Sequence, residues 1–130
     1  MQTRLKTDVE YLGSDATKGL PFSEAVRVGD MLYLSGKLGA DSSGKVVAGG
    51  IAAETRQTME NIKEALERCG STLNHVVKAT VMLADMSEWA EMNKVYVTYF
   101  PDHLPARSAM GVNGLARGAR VEIEVIAVAQ

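Results

Sequence analysis

"RVEIEVIAVA", residues 120–129, has the β-branched content of a strand, and its alternation indicates which sides of that strand are covered. Successive side chains of a strand point to opposite faces, so Val121, Ile123 and Val125 share one face while Glu122, Glu124, Ile126 and Val128 share the other. In its second half both faces are apolar, the pattern of a strand buried from two sides. The segment therefore predicts the interior of a sheet, and the remainder of the chain must supply the covers.

Upstream, "AVRVGDMLYLSG" (25–36) places two apolar runs around Gly29-Asp30, which predicts a hairpin with a type II′ turn. "ADSSGKVVAGG" (40–50) follows as turns around a short strand near Lys45 to Val47. From Ala52 to Arg68 the period changes: Thr55, Met59, Ile62, Leu66 and Cys69 recur at steps of four and three, which predicts an amphipathic helix with Gly70 capping its end. "HVVKATVMLAD" (75–85) predicts a buried strand. A second helix is expected from an N-cap at Ser87, with Trp89, Met92, Tyr96 and Tyr99 or Phe100 on its buried stripe, until Pro101 ends it. Two strands, near Arg107 to Gly111 and Arg120 to Ala129, close the chain. This order predicts one α+β domain over residues 1–130, a mixed sheet with two helices on one face. Two helices cover one face only, so the other is expected to be covered by further copies of the chain.

With 130 residues, 46% of them hydrophobic, the chain is long enough to bury a core without staples. A net charge of −2, with one Trp, four Tyr and two Phe, offers neither the basic surface nor the stacking residues of a nucleic-acid binder. Cys69 is the only cysteine, "MQTRLKTDVEYLG" (1–13) lacks an apolar secretory core, and no apolar run reaches membrane-spanning length. A cytoplasmic protein without membrane contact is expected.

One cysteine and the separated His75 and His103 make no zinc set, and no metal is expected. Phosphate-loop, dinucleotide and nucleophile-elbow spacings are all missing. The remaining candidates are Arg107, beyond Pro105, together with Glu122 and Ser35. A guanidinium offers a planar donor fork matched to a carboxylate, and a partly buried glutamate can hold or deprotonate water. Taken singly, an arginine after proline is more often a solvated side chain, and Glu122 and Glu124 more often an exposed polar stripe than a catalytic pair.

"PARSAMGVNGLARGARVEIEVIA" (105–127) resembles the C-terminal signature of the RidA/YjgF family, the reactive-intermediate deaminases also called the endoribonuclease L-PSP family. "LYLSGKLG" (32–39), "TRQTMENIKEALERCGSTLNHVVKATVML" (55–83) and "ADMSEWAEMNKVYVTYFP" (84–101, with Asn93 and Tyr96) extend the resemblance over nearly the whole chain. It implies a chorismate-mutase-like fold assembled as a homotrimer, with clefts between subunits where 2-imino acids are hydrolysed to 2-oxo acids and ammonia. No cofactor is implied, because a protonated imine is already an electrophile. By the same resemblance Arg107 would grip the substrate carboxylate, Glu122 would hold the attacking water, Ser35 would line the pocket, and Phe22, Lys37 and Asn93 would lie near the substrate. Phe22 stands where the family commonly has Tyr, Ala109 where many members have Cys, and Lys37 where Gln is frequent. Lys37 introduces a cation that could pair with Glu122 or attract an acidic substrate. Two alternative functions follow: deamination of a larger unsaturated amino acid of the 2-aminomuconate type, and non-enzymatic binding of a small carboxylate by a regulatory or chaperone-like trimer.

Overall fold

A computed structural model describes residues 7–130. The first six residues, part of the stretch searched for a secretory segment, lie outside the described residues. Strands β1 (Val9–Leu12), β2 (Ala25–Val28), β3 (Met31–Leu34), β4 (Lys37–Leu38), β5 (Val76–Leu83), β6 (Ala106–Gly111) and β7 (Val121–Val128) form one mixed sheet, with helices α1 (Gly50–Arg68) and α2 (Trp89–Tyr96). The strand order is β1-β2-β3-β7-β5-β6, and β4 pairs with β7 beyond the end of β3. Only β5 and β6 run parallel, and α2 lies in the connection between them.

As the alternation of β7 predicts, Val121, Ile123, Val125 and Ala127 are buried against the helices. Ala79, Val81 and Leu83 of β5 and Leu32 and Leu34 of β3 share that core with Ile51, Met59, Ile62 and Leu66 of α1 and Met92 and Tyr96 of α2. Each such side chain contributes ~1.5–3 kcal/mol of apolar burial. The opposite face carries Met31, Tyr33, Glu122, Glu124, Ile126, Val128, Lys78, Thr80 and Met110, with no helix packed on it among the described residues; Tyr33 is 45% and Met110 42% exposed.

Gly29 has φ +58° and no other residue of the hairpin turn has positive φ, which suits the type II′ turn and not type I′. Gly70 ends α1 as expected, at φ +84°. Its N–H donates to Glu67 O (3.2 Å) and that of Ser71 to Leu66 O (2.8 Å), the two bonds of a Schellman cap.

Four expectations need correction. β1 adds a strand that the sequence reading did not include. Lys45 to Val47 forms only one bridge, Ala40 to Val46. α2 is preceded by a 3-10 turn, Met86–Glu88, whose N-cap is Asp85 accepting from Ser87 N–H at 2.9 Å, so Ser87 is not the cap. Trp89 is 44% exposed and outside the core; the buried residues of α2 are Met92, Val95 and Tyr96. The extra 3-10 turn shifts the start of the helix by one residue and leaves Trp89 at its first position.

Candidate active site

Arg107 sits on the edge strand β6 opposite Ala79, on the helix side of the sheet. α2 reaches it because the parallel β5–α2–β6 crossover folds the helix back over these two strands. Arg107 Nη1 donates to Asn93 Oδ1 at 2.7 Å, and its guanidinium carbon lies 4.9 Å from the centroid of the Tyr96 ring. Asn93 and Tyr96, three residues apart, therefore grip the arginine from one helix face. A cation over a ring contributes ~0.5–2 kcal/mol and fixes the plane of the fork. Tyr96 is itself buried and packs on Phe100 with ring centroids 5.0 Å apart. Asn93, expected beside the substrate, accepts from Arg107 through its side-chain carbonyl oxygen.

Glu122 lies on the open face, flanked by Leu38 of β4 and Met82 of β5. Gly36 approaches it so closely that a Cβ there would fall 2.1 Å from Glu122 Oε2. Burial first, and then the neighbouring Glu124, raise its carboxyl above the ordinary glutamate value. A carboxylate so placed is a stronger base than one in water. Ser35 adjoins it through Gly36 and donates its hydroxyl to Ser23 O at 2.6 Å.

Lys37 does not meet Glu122. It pairs across the sheet with Ile123 on the helix side, where its Nζ lies 3.0 Å from Oε1 of Glu24. The cause is a one-residue bulge between β3 and β4: Tyr33 faces Ile126, but Lys37 faces Ile123, so every side chain after the bulge changes faces. Phe22 is half exposed, and Ala109 packs partly buried against the core.

Within one chain Arg107 and Glu122 do not share a pocket. Glu122 is level with Met82 and Met110, three residues along β6 from Arg107, and the two side chains leave opposite faces. Strand spacing and rise put their Cα atoms ~14 Å apart. Two hollows of the surface contain neither residue: one of about 140 Å³ on the open face, between Tyr33, Lys78, Thr80 and Glu124, and one of about 470 Å³ between His75, His103 and Leu104.

Two important residues were not singled out from sequence. Glu24 is 1% exposed, and a glutamate is almost never fully buried unless paired. Gly36 belongs to the "LYLSGKLG" stretch, but its closeness to Glu122 is a tertiary contact. An acidic residue directly before the β2 apolar run was the one available signal for Glu24.

The sequence profile of the Endoribonuclease L-PSP family matches residues 15–129. A mouse protein named 2-iminobutanoate/2-iminopropanoate deaminase is 50% identical over 109 residues, 83% of this chain and 81% of the mouse protein. A RutC family protein of Pyrococcus horikoshii is 44% identical over 82% of this chain and 86% of its own length. Among solved structures, RidA from an Antarctic Psychrobacter superposes with a TM-score of 0.81 at 36% identity, covering 96% of this chain and 99% of that one.

Proposed function

Because the chain belongs to the endoribonuclease L-PSP family, the RidA/YjgF proteins, we propose that it is a hydrolytic deaminase of small 2-imino and enamino acids, yielding 2-oxo acids and ammonia without a cofactor. The observation that carries the proposal is the 50% identity, over most of both chains, to a protein named for 2-iminobutanoate and 2-iminopropanoate deamination. The geometry agrees in two respects: a guanidinium held by Asn93 and Tyr96 is pre-organised for a carboxylate, and an elevated carboxyl group is available to water.

In this mechanism Arg107 takes the substrate carboxylate through the donors not spent on Asn93. Glu122 accepts a proton from water as the water oxygen bonds to the carbon of the protonated imine, returns that proton to nitrogen, and takes up the remaining hydroxyl proton as the C–N bond breaks, the C=O bond forms and ammonia leaves. The opposite orientation of the two residues requires Arg107 from one copy and Glu122 from another, so the open sheet face and the β6 edge would meet at a subunit boundary. A homotrimer with shared sites satisfies this.

The test is a coupled assay in which a dehydratase releases 2-iminobutanoate and 2-oxobutanoate formation is followed with and without the protein. We expect wild type to accelerate the reaction and Arg107→Lys to lose about ten- to a hundredfold, because one compact charge replaces a two-pronged fork. No acceleration by wild type, with small or with larger unsaturated imines, overturns the deaminase reading; an unimpaired Arg107→Lys removes Arg107 from the mechanism.

A further inference from the structure

Glu24 Oε1 accepts from Lys37 Nζ at 3.0 Å and from Arg68 Nη2, and Oε2 lies 3.4 Å from Arg68 Nε. Burial would raise this carboxyl, but the hydrogen bonds from Arg68 and then Lys37 outweigh it and hold the group down at about 2. Burying a carboxylate and an ammonium is costly, and such pairs frequently add little to stability over an apolar substitute. The cluster's position suggests a different role.

The three residues tie together the segment that touches Glu122. Glu24 O accepts from Ser35 N–H at 3.0 Å, Ser23 O accepts from the Ser35 hydroxyl, and Gly36, the next residue, presses on the Glu122 carboxylate. Lys37 follows Gly36, and Arg68 anchors the far side from the last turn of α1. In the observed register Lys37 faces Ile123. If β4 simply continued the β3 register, without the bulge, Lys37 would instead stand directly opposite Glu122 on the open face, because a one-residue slip reverses every side chain. Cross-strand neighbours lie ~5 Å apart, which is ion-pairing range.

We propose that Glu24, with Arg68, is a positioning residue for the water-holding carboxylate: by capturing Lys37 on the helix side it locks the Ser35–Gly36 bulge and keeps Glu122 free of a cation. The inference rests on the deaminase reading for the role of Glu122, but the register lock stands independently of it. The other ionisable groups on the open face near Glu122 are Glu124 on its own strand, Lys78 on β5, which donates to Ser108 at 3.1 Å, and Tyr33 on β3. Along the neighbouring strands that face carries Leu38 in β4 and Ala106, Ser108 and Met110 in β6, none of them ionisable.

The experiment compares wild type, Glu24→Gln and the double variant Glu24→Gln/Lys37→Gln, following the Glu122 side-chain carboxyl by carbon-13 NMR across pH, alongside kcat and KM. Released by Glu24→Gln, Lys37 should pair with Glu122, lower its titration midpoint and reduce kcat about tenfold or more at neutral pH, with KM changed less. Removing the lysine as well should return both the midpoint and kcat to near wild type. General damage to the fold would not be reversed by a second substitution. Should Glu24→Gln fail to fold, Glu24→Asp, which keeps the charge but shortens its reach, is read in the same way. An unmoved Glu122 titration in the single variant, or no recovery in the double, overturns the proposal. If wild type shows no turnover, the deaminase reading fails while the titration still decides the register lock.

Discussion

The Glu122 carboxyl binds its proton more tightly in the folded protein than the ordinary 4.5 of an exposed glutamate, because burial and then Glu124 disfavour the anion. A group whose folded value is raised contributes stability that is present below the unfolded value and is lost as pH rises through the folded one. The ionised side chain therefore burdens the fold at neutral pH. Glu122→Gln, which keeps the shape, should melt at a higher temperature than wild type at pH 7, and the advantage should disappear below about pH 4.5. The same variant should lose ~10²- to 10⁴-fold in turnover because an amide cannot take up the proton. Thermal melts at the two pH values check this, and a variant less stable than wild type at pH 7 would show that the carboxylate is held by favourable partners. Glu124→Gln, on the same face but two residues on, should be far milder in turnover. A side chain at Gly36 would displace the Glu122 carboxylate, since a Cβ there would occupy its present place.

Among the elements, α1 was the most legible, because nineteen residues give the 3.6-residue period several turns in which to repeat. Its end was legible as well, since the left-handed position after the last turn strongly prefers glycine. No atom lies within 4 Å of the place a Gly70 Cβ would take, so Gly70→Ala pays only for its backbone conformation, ~1 kcal/mol. Urea denaturation should show that loss; an unchanged midpoint would mean that the cap relaxes at no cost. α2 was less legible. With eight helical residues between two 3-10 turns, its stripe is too short to distinguish Trp89, which is exposed, from Met92 and Tyr96, which are not. Its most consequential feature, the grip of Asn93 and Tyr96 on Arg107, depends on the crossover that carries it over β6.

For the whole molecule, the uncovered face holds Tyr33, Ile126, Val128, Met31 and Met110, an apolar surface of the kind that partners cover. We expect light scattering to give three times the 14.0 kDa of one chain. Ile126→Glu, a charge on the strand nearest the middle of that face, should yield smaller species and abolish turnover together, since the proposed site draws on two copies. A monomer that retains wild-type turnover would exclude the shared site.

The amino-acid sequence by itself determined what is local: the two faces of β7, the hairpin turn at Gly29-Asp30, the course of α1 and the Gly70 cap follow from periods of 2 and 3.6 residues and from backbone preferences that act within a few positions. Elimination of other motifs left Arg107, Glu122 and Ser35 as candidates, and the family resemblance gave each a role. Only the tertiary structure decided how these stand to one another. A bulge is defined by pairing with a distant strand, so no alternation within residues 31–38 could reveal that Lys37 turns toward Glu24 and away from Glu122. In the same way, the side of the sheet that Arg107 faces depends on β6 pairing with β5, and this pairing is what places it on the opposite face from Glu122 in the same chain.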